Sequence, residues 1–332
     1  MDLKLLLKRG ALLAAANWPV VILQFVAETT FQVLLAMPII GAAILVAVLL
    51  GADLADLLRG NLRDIFTTIA SALMSEPVAF VAFVLAFTLS LFGGSLLLFV
   101  VKGGTVSVML AANDGAGPIE RDPLTYDGVR AAMQFTLRRF MDGCGRLYRP
   151  YVVLGVVLML VYGASVAGYA ALVLYGYRAT GGAVIWGWTV AAIAAAGLVV
   201  WFTVVNFLYL LTQVAMAVDG VGVVEGWRLV ARFVRDEFRA LAEVFLVVFG
   251  LVIAAVFASA LAWSGVGLIA FVPLIGIAVV PLQLAALVVR GFVFEYLGMT
   301  ALGAYLTLYA GLARKRGAPV PMSSASPASA EA

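Results

Sequence analysis

Residues 77–101 read PVAFVAFVLAFTLSLFGGSLLLFVV, without one charged side chain. A helix rises about 1.5 Å per residue, so this stretch is long enough to cross a hydrocarbon layer about 30 Å thick, which takes about 20 apolar residues. Backbone polar groups in lipid must be satisfied within the segment, which makes such a run a helix. Residues 179–218 and 244–289 are charge-free in the same way. The whole 332-residue chain is 64% apolar and 12% charged. A soluble domain carries about 25% charged residues, so a water-soluble fold would have too few polar groups to cover its surface. The sequence therefore predicts an all-α, polytopic transmembrane helix bundle.

Working outward, the first apolar run is 18–52. It is longer than a perpendicular span needs, so it either enters obliquely or breaks at Pro38. Residues 53–76 place Leu54, Leu58, Leu62, Ile65, Ile69 and Leu73 at three- and four-residue spacing among Asp53, Asp56, Arg59, Arg63 and Asp64. That pattern predicts an amphipathic surface helix. The polar stretch 102–149 opens as a loop at Asn113-Asp114-Gly115 and Gly117-Pro118. It continues as an amphipathic helix over 129–149, with Met133, Leu137, Phe140, Cys144 and Leu147 on one face. A third span covers about 151–175. A fourth lies within 184–217, with Trp186 and Trp188 as interfacial anchors. Residues 219–243 form a second polar stretch, whose apolar face is marked by Trp227, Val234, Phe238 and Leu241. A fifth span covers about 244–263.

Two stretches compete for the last span, 266–289 and 283–313. The preferred arrangement is one long helix from about Gln283, preceded by an apolar bend holding Pro273 and Pro281. The domain thus covers 1–316, with six spans and interfacial amphipathic helices. Residues 317–332 (GAPVPMSSASPASAEA) have the composition of a disordered tail.

Charge asymmetry sets the orientation. The N-terminal end, 102–149, 219–243 and the C-terminal end hold 17 Lys and Arg residues, whereas the opposite loops hold Arg59, Arg63 and Arg178. The positive-inside rule puts both termini and the two long polar segments in the cytoplasm. Lys4, Lys8 and Arg9 ahead of ALLAAA resemble the start of a secretion signal. Polar Asn17 and the much longer run from Trp18 instead read as a retained cytoplasmic end. A preponderance of Arg (17) over Lys (4), with much Ala, Gly and Val, points to a GC-rich bacterial source and so to the bacterial inner membrane.

A weak internal repeat runs through the chain. Arg139-Phe140 and Arg232-Phe233 are 93 residues apart, as are Arg146 and Arg239, and Lys8-Arg9 precedes the first span similarly. The unit would be a basic surface helix followed by a transmembrane hairpin, present three times. The stretch 219–248, DGVGVVEGWRLVARFVRDEFRALAEVFLVV, opens on an Asp-Gly turn. It passes through Glu225, Trp227, Arg228 and Arg232 into an apolar span. It resembles the membrane domains attached to some bacterial glycerophosphoryl diester phosphodiesterases, and free-standing bacterial six-helix membrane proteins of unknown function. The last helix, with Tyr309 and Arg314-Lys315-Arg316, fits the same pattern. The resemblance implies a six-helix bundle. In that family the hydrolytic activity belongs to a separate soluble barrel with histidine and acidic metal ligands, so no catalytic residue carries over.

The chain has no histidine, which removes the commonest general base and metal ligand. Its one cysteine, Cys144, excludes an intramolecular disulfide. Gly103-Gly104 and Gly115-Ala116-Gly117 lack the following Lys-Ser/Thr of a phosphate-cradling loop. No enzyme activity, metal, cofactor or nucleic-acid partner is expected. Charged residues inside a membrane are costly and mark candidate sites. Glu28, Arg290 and Glu295 qualify, with Glu28 at the interface instead if the first span begins near residue 30. Arg228, Arg232, Arg235 and Arg239, spaced by four, three and four, form a stripe suited to anionic lipid headgroups. Two functions follow as expectations. The first is a scaffold that binds lipid or a partner protein at the inner face. The second is a transporter or channel subunit built around Glu28, Arg290 and Glu295.

Overall fold

A computed structural model of the chain describes residues 2–50, 75–121, 126–179, 184–270 and 275–315. Among these residues the fold is all helix. The elements are α1 (Leu3–Ala16), α2 (Trp18–Leu50), α3 (Pro77–Gly115), α4 (Tyr126–Ala132), α5 (Leu137–Ala179), α6 (Val184–Asp219), α7 (Val223–Asp236), α8 (Phe238–Ala270) and α9 (Ile275–Lys315). Six of them, α2, α3, α5, α6, α8 and α9, are long and apolar enough to cross a membrane. The order is a short helix, a break, then two long helices, three times over. The surface helix expected over 53–76 falls largely outside the described residues, as do the tail 317–332 and the side chains of Trp186 and Trp188.

The long helices run further than charge patterning implies. α2 continues through Pro38 to Leu50, so the proline does not end it. α3 carries helix past Lys102 to Gly115, and the loop expected at Asn113-Asp114-Gly115 is its last turn. The polar groups there find partners on distant segments, which outweighs their local preference for a turn. The amphipathic segment before the third span joins that span as one 43-residue helix through Pro150. α9 begins at Ile275 and holds Pro281 inside it, replacing the bend expected there. At about 1.5 Å per residue, helices of 33 to 43 residues exceed the roughly 30 Å of hydrocarbon, so parts of them stand outside it.

The chain divides into two compact units, Met1–Ile22 with Lys102–Ala332, and Leu23–Val101. In the larger unit the buried core collects at one end of the long helices. α5 is buried at Phe140, Cys144, Leu147, Tyr151 and Leu154, then exposed at Val156, Leu160 and Leu172. α6 reverses the order, exposed through Val204 and buried from Leu211 to Val218. α8 changes between Val244 and Leu246, and α9 between Val293 and Met299. Exposed apolar side chains on a membrane span face lipid, whereas the packed end is covered by protein.

Glycines allow the closest contacts at that end. A Cβ on Gly10 would lie 2.3 Å from the Thr300 carbonyl oxygen, and one on Gly303 2.9 Å from Gly10 Cα. α1 and α9 therefore meet backbone to backbone. Gly104 meets the side chains of Cys144 and Phe140, and Gly143 that of Ser107, which presses α3 against α5. Left-handed Gly117 (φ 55°) and Gly220 (φ 67°) follow the ends of α3 and α6, a conformation that glycine adopts without a Cβ clash.

The smaller unit packs Gly94 of α3 against the ring of Phe31 on α2. It carries an open cavity of about 410 Å³ bordered by Met37, Pro38, Gly41, Ala82, Phe83 and Ser90.

Candidate functional site

The densest polar cluster lies at the packed end of the larger unit. Arg9 of α1 is 8% exposed. Its Nε donates to Asn113 Oδ1 at 2.9 Å, its Nη2 to the Asn113 carbonyl at 2.7 Å, and its Nη1 to Glu120 Oε2 at 2.7 Å and to the Gly117 carbonyl. All the partners come from the end of α3 and the turn after it. Thr307 of α9 brings its hydroxyl to 2.9 Å from Asn113 Oδ1, and Arg314 pairs with Asp114 at 3.1 Å. A buried guanidinium is tolerated only when paired and hydrogen-bonded, and here each of its three nitrogens donates to a partner. No local window of sequence signals this, because Arg9 and Glu120 are 111 residues apart.

Two further contacts extend the cluster. Tyr309 of α9, 1% exposed, donates its hydroxyl to Asp219 at the end of α6. Its ring meets Phe233 of α7 edge-on, with centroids 5.0 Å apart. Asn17, fully buried between α1 and α2, donates to the carbonyls of Leu13 and Ala132 and accepts from the amides of Gln134 and Phe135. Both residues satisfy backbone or carboxylate groups at helix ends, and the geometry is that of a structural lock. Among the described residues no group of His, Cys, Asp and Glu could hold a metal.

The basic stripe lies on α7 and the start of α8. Arg228, Arg232, Arg235 and Arg239 are all exposed. Arg239 pairs with Glu243 at 2.9 Å, where the pair is too exposed to contribute much. The face of α7 turned to the protein is Gly226, Val230 and Phe233. Trp227 is 50% exposed and Phe238 66%, while Leu241 is buried, so the apolar face read from the sequence is corrected. The physical reason is Gly226. A Cβ there would sit 2.9 Å from Met216 Cγ, so α7 approaches α6 on its smallest side chain and leaves its bulkiest outside. With 3.6 residues per turn, Val224 and Trp227 occupy an exposed apolar arc beside the arginine row.

Of the three charges expected within spans, Glu28 belongs to the smaller unit and Arg290 and Glu295 to the larger. Glu28, partly exposed on α2 in the smaller unit, accepts a hydrogen bond from Gln24 at 3.1 Å. Arg290 is exposed on α9, with its guanidinium 5.7 Å from the ring centroid of Phe294. Glu295 is partly exposed one turn further on. Glu28 is not among the residues lining the cavity of the smaller unit.

The helices and their exposed apolar belts define a multi-pass α-helical membrane protein. No family model, curated protein or solved structure matches the chain.

Proposed function

We propose that the protein is a lipid- or partner-binding scaffold of a bacterial inner membrane, with its packed polar end and both termini in the cytoplasm. The observation that carries this reading is α7, where exposed Arg228, Arg232 and Arg235 run beside exposed Val224 and Trp227, with exposed Arg239 following at the start of α8. An apolar arc next to a basic row is how a helix lies in the headgroup region, with the ring among acyl chains and the guanidinium groups at phosphate level. The 17 Lys and Arg residues assigned to this side support its facing inward.

The test is native mass spectrometry of protein extracted gently from vesicles containing phosphatidylglycerol and phosphatidylethanolamine. Each basic residue near an anionic surface contributes about 1 kcal/mol. Replacing Arg228, Arg232, Arg235 and Arg239 by Gln should strip phosphatidylglycerol several-fold and leave phosphatidylethanolamine unchanged. Equal loss of both lipids, or of neither, would count against the stripe as the contact.

A further inference from the structure

We infer that Arg290 is a lipid-phosphate contact at the inner boundary of the hydrocarbon, and that α9 beyond it stands in the cytoplasm as part of a packed headpiece. The inference rests on the inward orientation proposed above. Three observations carry it. Arg290 is the first charged residue after the charge-free run 244–289, and a charge is costly inside the hydrocarbon, so it belongs near the end of the span. Burial changes at the same place: Leu287, Val288, Val289 and Val293 are exposed, whereas Met299, Leu302 and Tyr305 are buried against other helices. A side chain inside a lipid-facing belt has acyl chains around it, and one in the packed region has protein.

The third observation is where the side chain lies. Arg290 is exposed among the apolar residues of the belt, and its guanidinium lies over the ring of Phe294, 5.7 Å from the centroid, five residues before buried Met299. A long basic side chain near the end of a span snorkels to the headgroups. Lys102 gives a parallel on α3. It is the first charge after the run 77–101, and its Nζ lies 5.6 Å from the ring centroid of Tyr209. The ligand chemistry that fits Arg290 is a phosphate oxygen, which a planar guanidinium binds with two parallel donors. The source is the phosphodiester of a membrane lipid, since the residue opens onto the lipid-facing belt. Arg290 thereby leaves the set of candidate transport charges.

Single cysteines at Val289, Gly298 and Gly311, in a Cys144→Ala background, test the boundary with a membrane-impermeant maleimide on inside-out vesicles. Both glycines are exposed, and a Cβ on either has nothing within 4 Å. Gly298→Cys and Gly311→Cys should react, and Val289→Cys only after detergent is added. Reaction at 311 with silence at 298 would overturn the boundary. Reaction at 298 and 311 from the opposite membrane face alone would overturn the inward orientation, while the contrast between 289 and 298 would still locate the boundary. The phosphate contact is tested by native mass spectrometry of protein from phosphatidylglycerol vesicles. Arg290→Gln should lose a bound lipid that the unchanged protein keeps, and added inorganic phosphate should not displace it. An unchanged lipid count in Arg290→Gln would overturn the contact. Displacement by inorganic phosphate would overturn the lipid as its source.

Discussion

Arg9 shows how one side chain ties three parts of the chain together. It is placed by α1, its ion pair comes from Glu120, and Asn113 links it to Thr307 of α9. Both side chains of the ion pair are about nine-tenths buried. Removing one partner of a buried pair leaves the other charge uncompensated, at a cost of about 3–5 kcal/mol. Glu120→Gln should therefore lower the thermal unfolding midpoint in detergent sharply, whereas Glu243→Gln, at the exposed Arg239 pair, should leave it nearly unchanged. Equal shifts would mean that the buried pair has no special weight. The sequence made Arg9 legible only as a positive charge near a terminus, and the notable fact about it is its burial. Burial of a charge depends on partners far away in the chain, and no local window contains them.

At the scale of elements, glycine placement decides which helix faces meet. α1 lies on α9 because Gly10 and Gly303 face each other. A methyl group on Gly10 would sit 2.3 Å from a backbone oxygen, which no rotamer change can relieve. Gly10→Ala should destabilise the fold by about 1–3 kcal/mol, the usual cost of overpacking. Gly145→Ala on α5, with nothing within 4 Å, is the control and should be neutral or slightly stabilising, since alanine favours a helix. Thermal denaturation of the two variants side by side checks this, and a neutral Gly10→Ala would contradict the close contact. The same principle limits what patterning can read. Apolar spans were legible because lipid demands long charge-free runs. The packed face of α7 was not, because periodicity weights Trp227 and Phe238, and the residue that lets α7 dock is Gly226. The extension of α3 to Gly115 was hidden by Asn113-Asp114-Gly115, which is a turn signal unless Arg9 and Arg314 occupy its polar groups.

For the whole molecule, six spans and the bias of basic residues make one orientation testable as a unit. A reporter active only in the cytoplasm, fused after residue 332, should be active. The same reporter inserted between 180 and 183, after α5 and before α6, should be silent. The reverse result would invert the whole map, and activity at both sites would break the hairpin reading of α5 and α6. Fold class and the number of spans were legible from composition and charge-free runs alone. The headpiece was not, since a helix gives no local sign of where it leaves the membrane when its polar residues are buried.

The pairing of α1 with α9 also bears on how the chain is made. Ala11 accepts a hydrogen bond from Tyr296, 285 residues later. Domains emerge from synthesis at about 5–20 residues per second, so α1 waits roughly 15 to 60 seconds for the helix that covers it. Arg9 meets Glu120 much sooner. The first helix is thus held early by its charge and closed last by its glycine, and the final hairpin works as the stopper of the assembly. A ribosome that stalls before α9 would leave an apolar, uncovered helix at the membrane surface, a natural target for quality-control proteases.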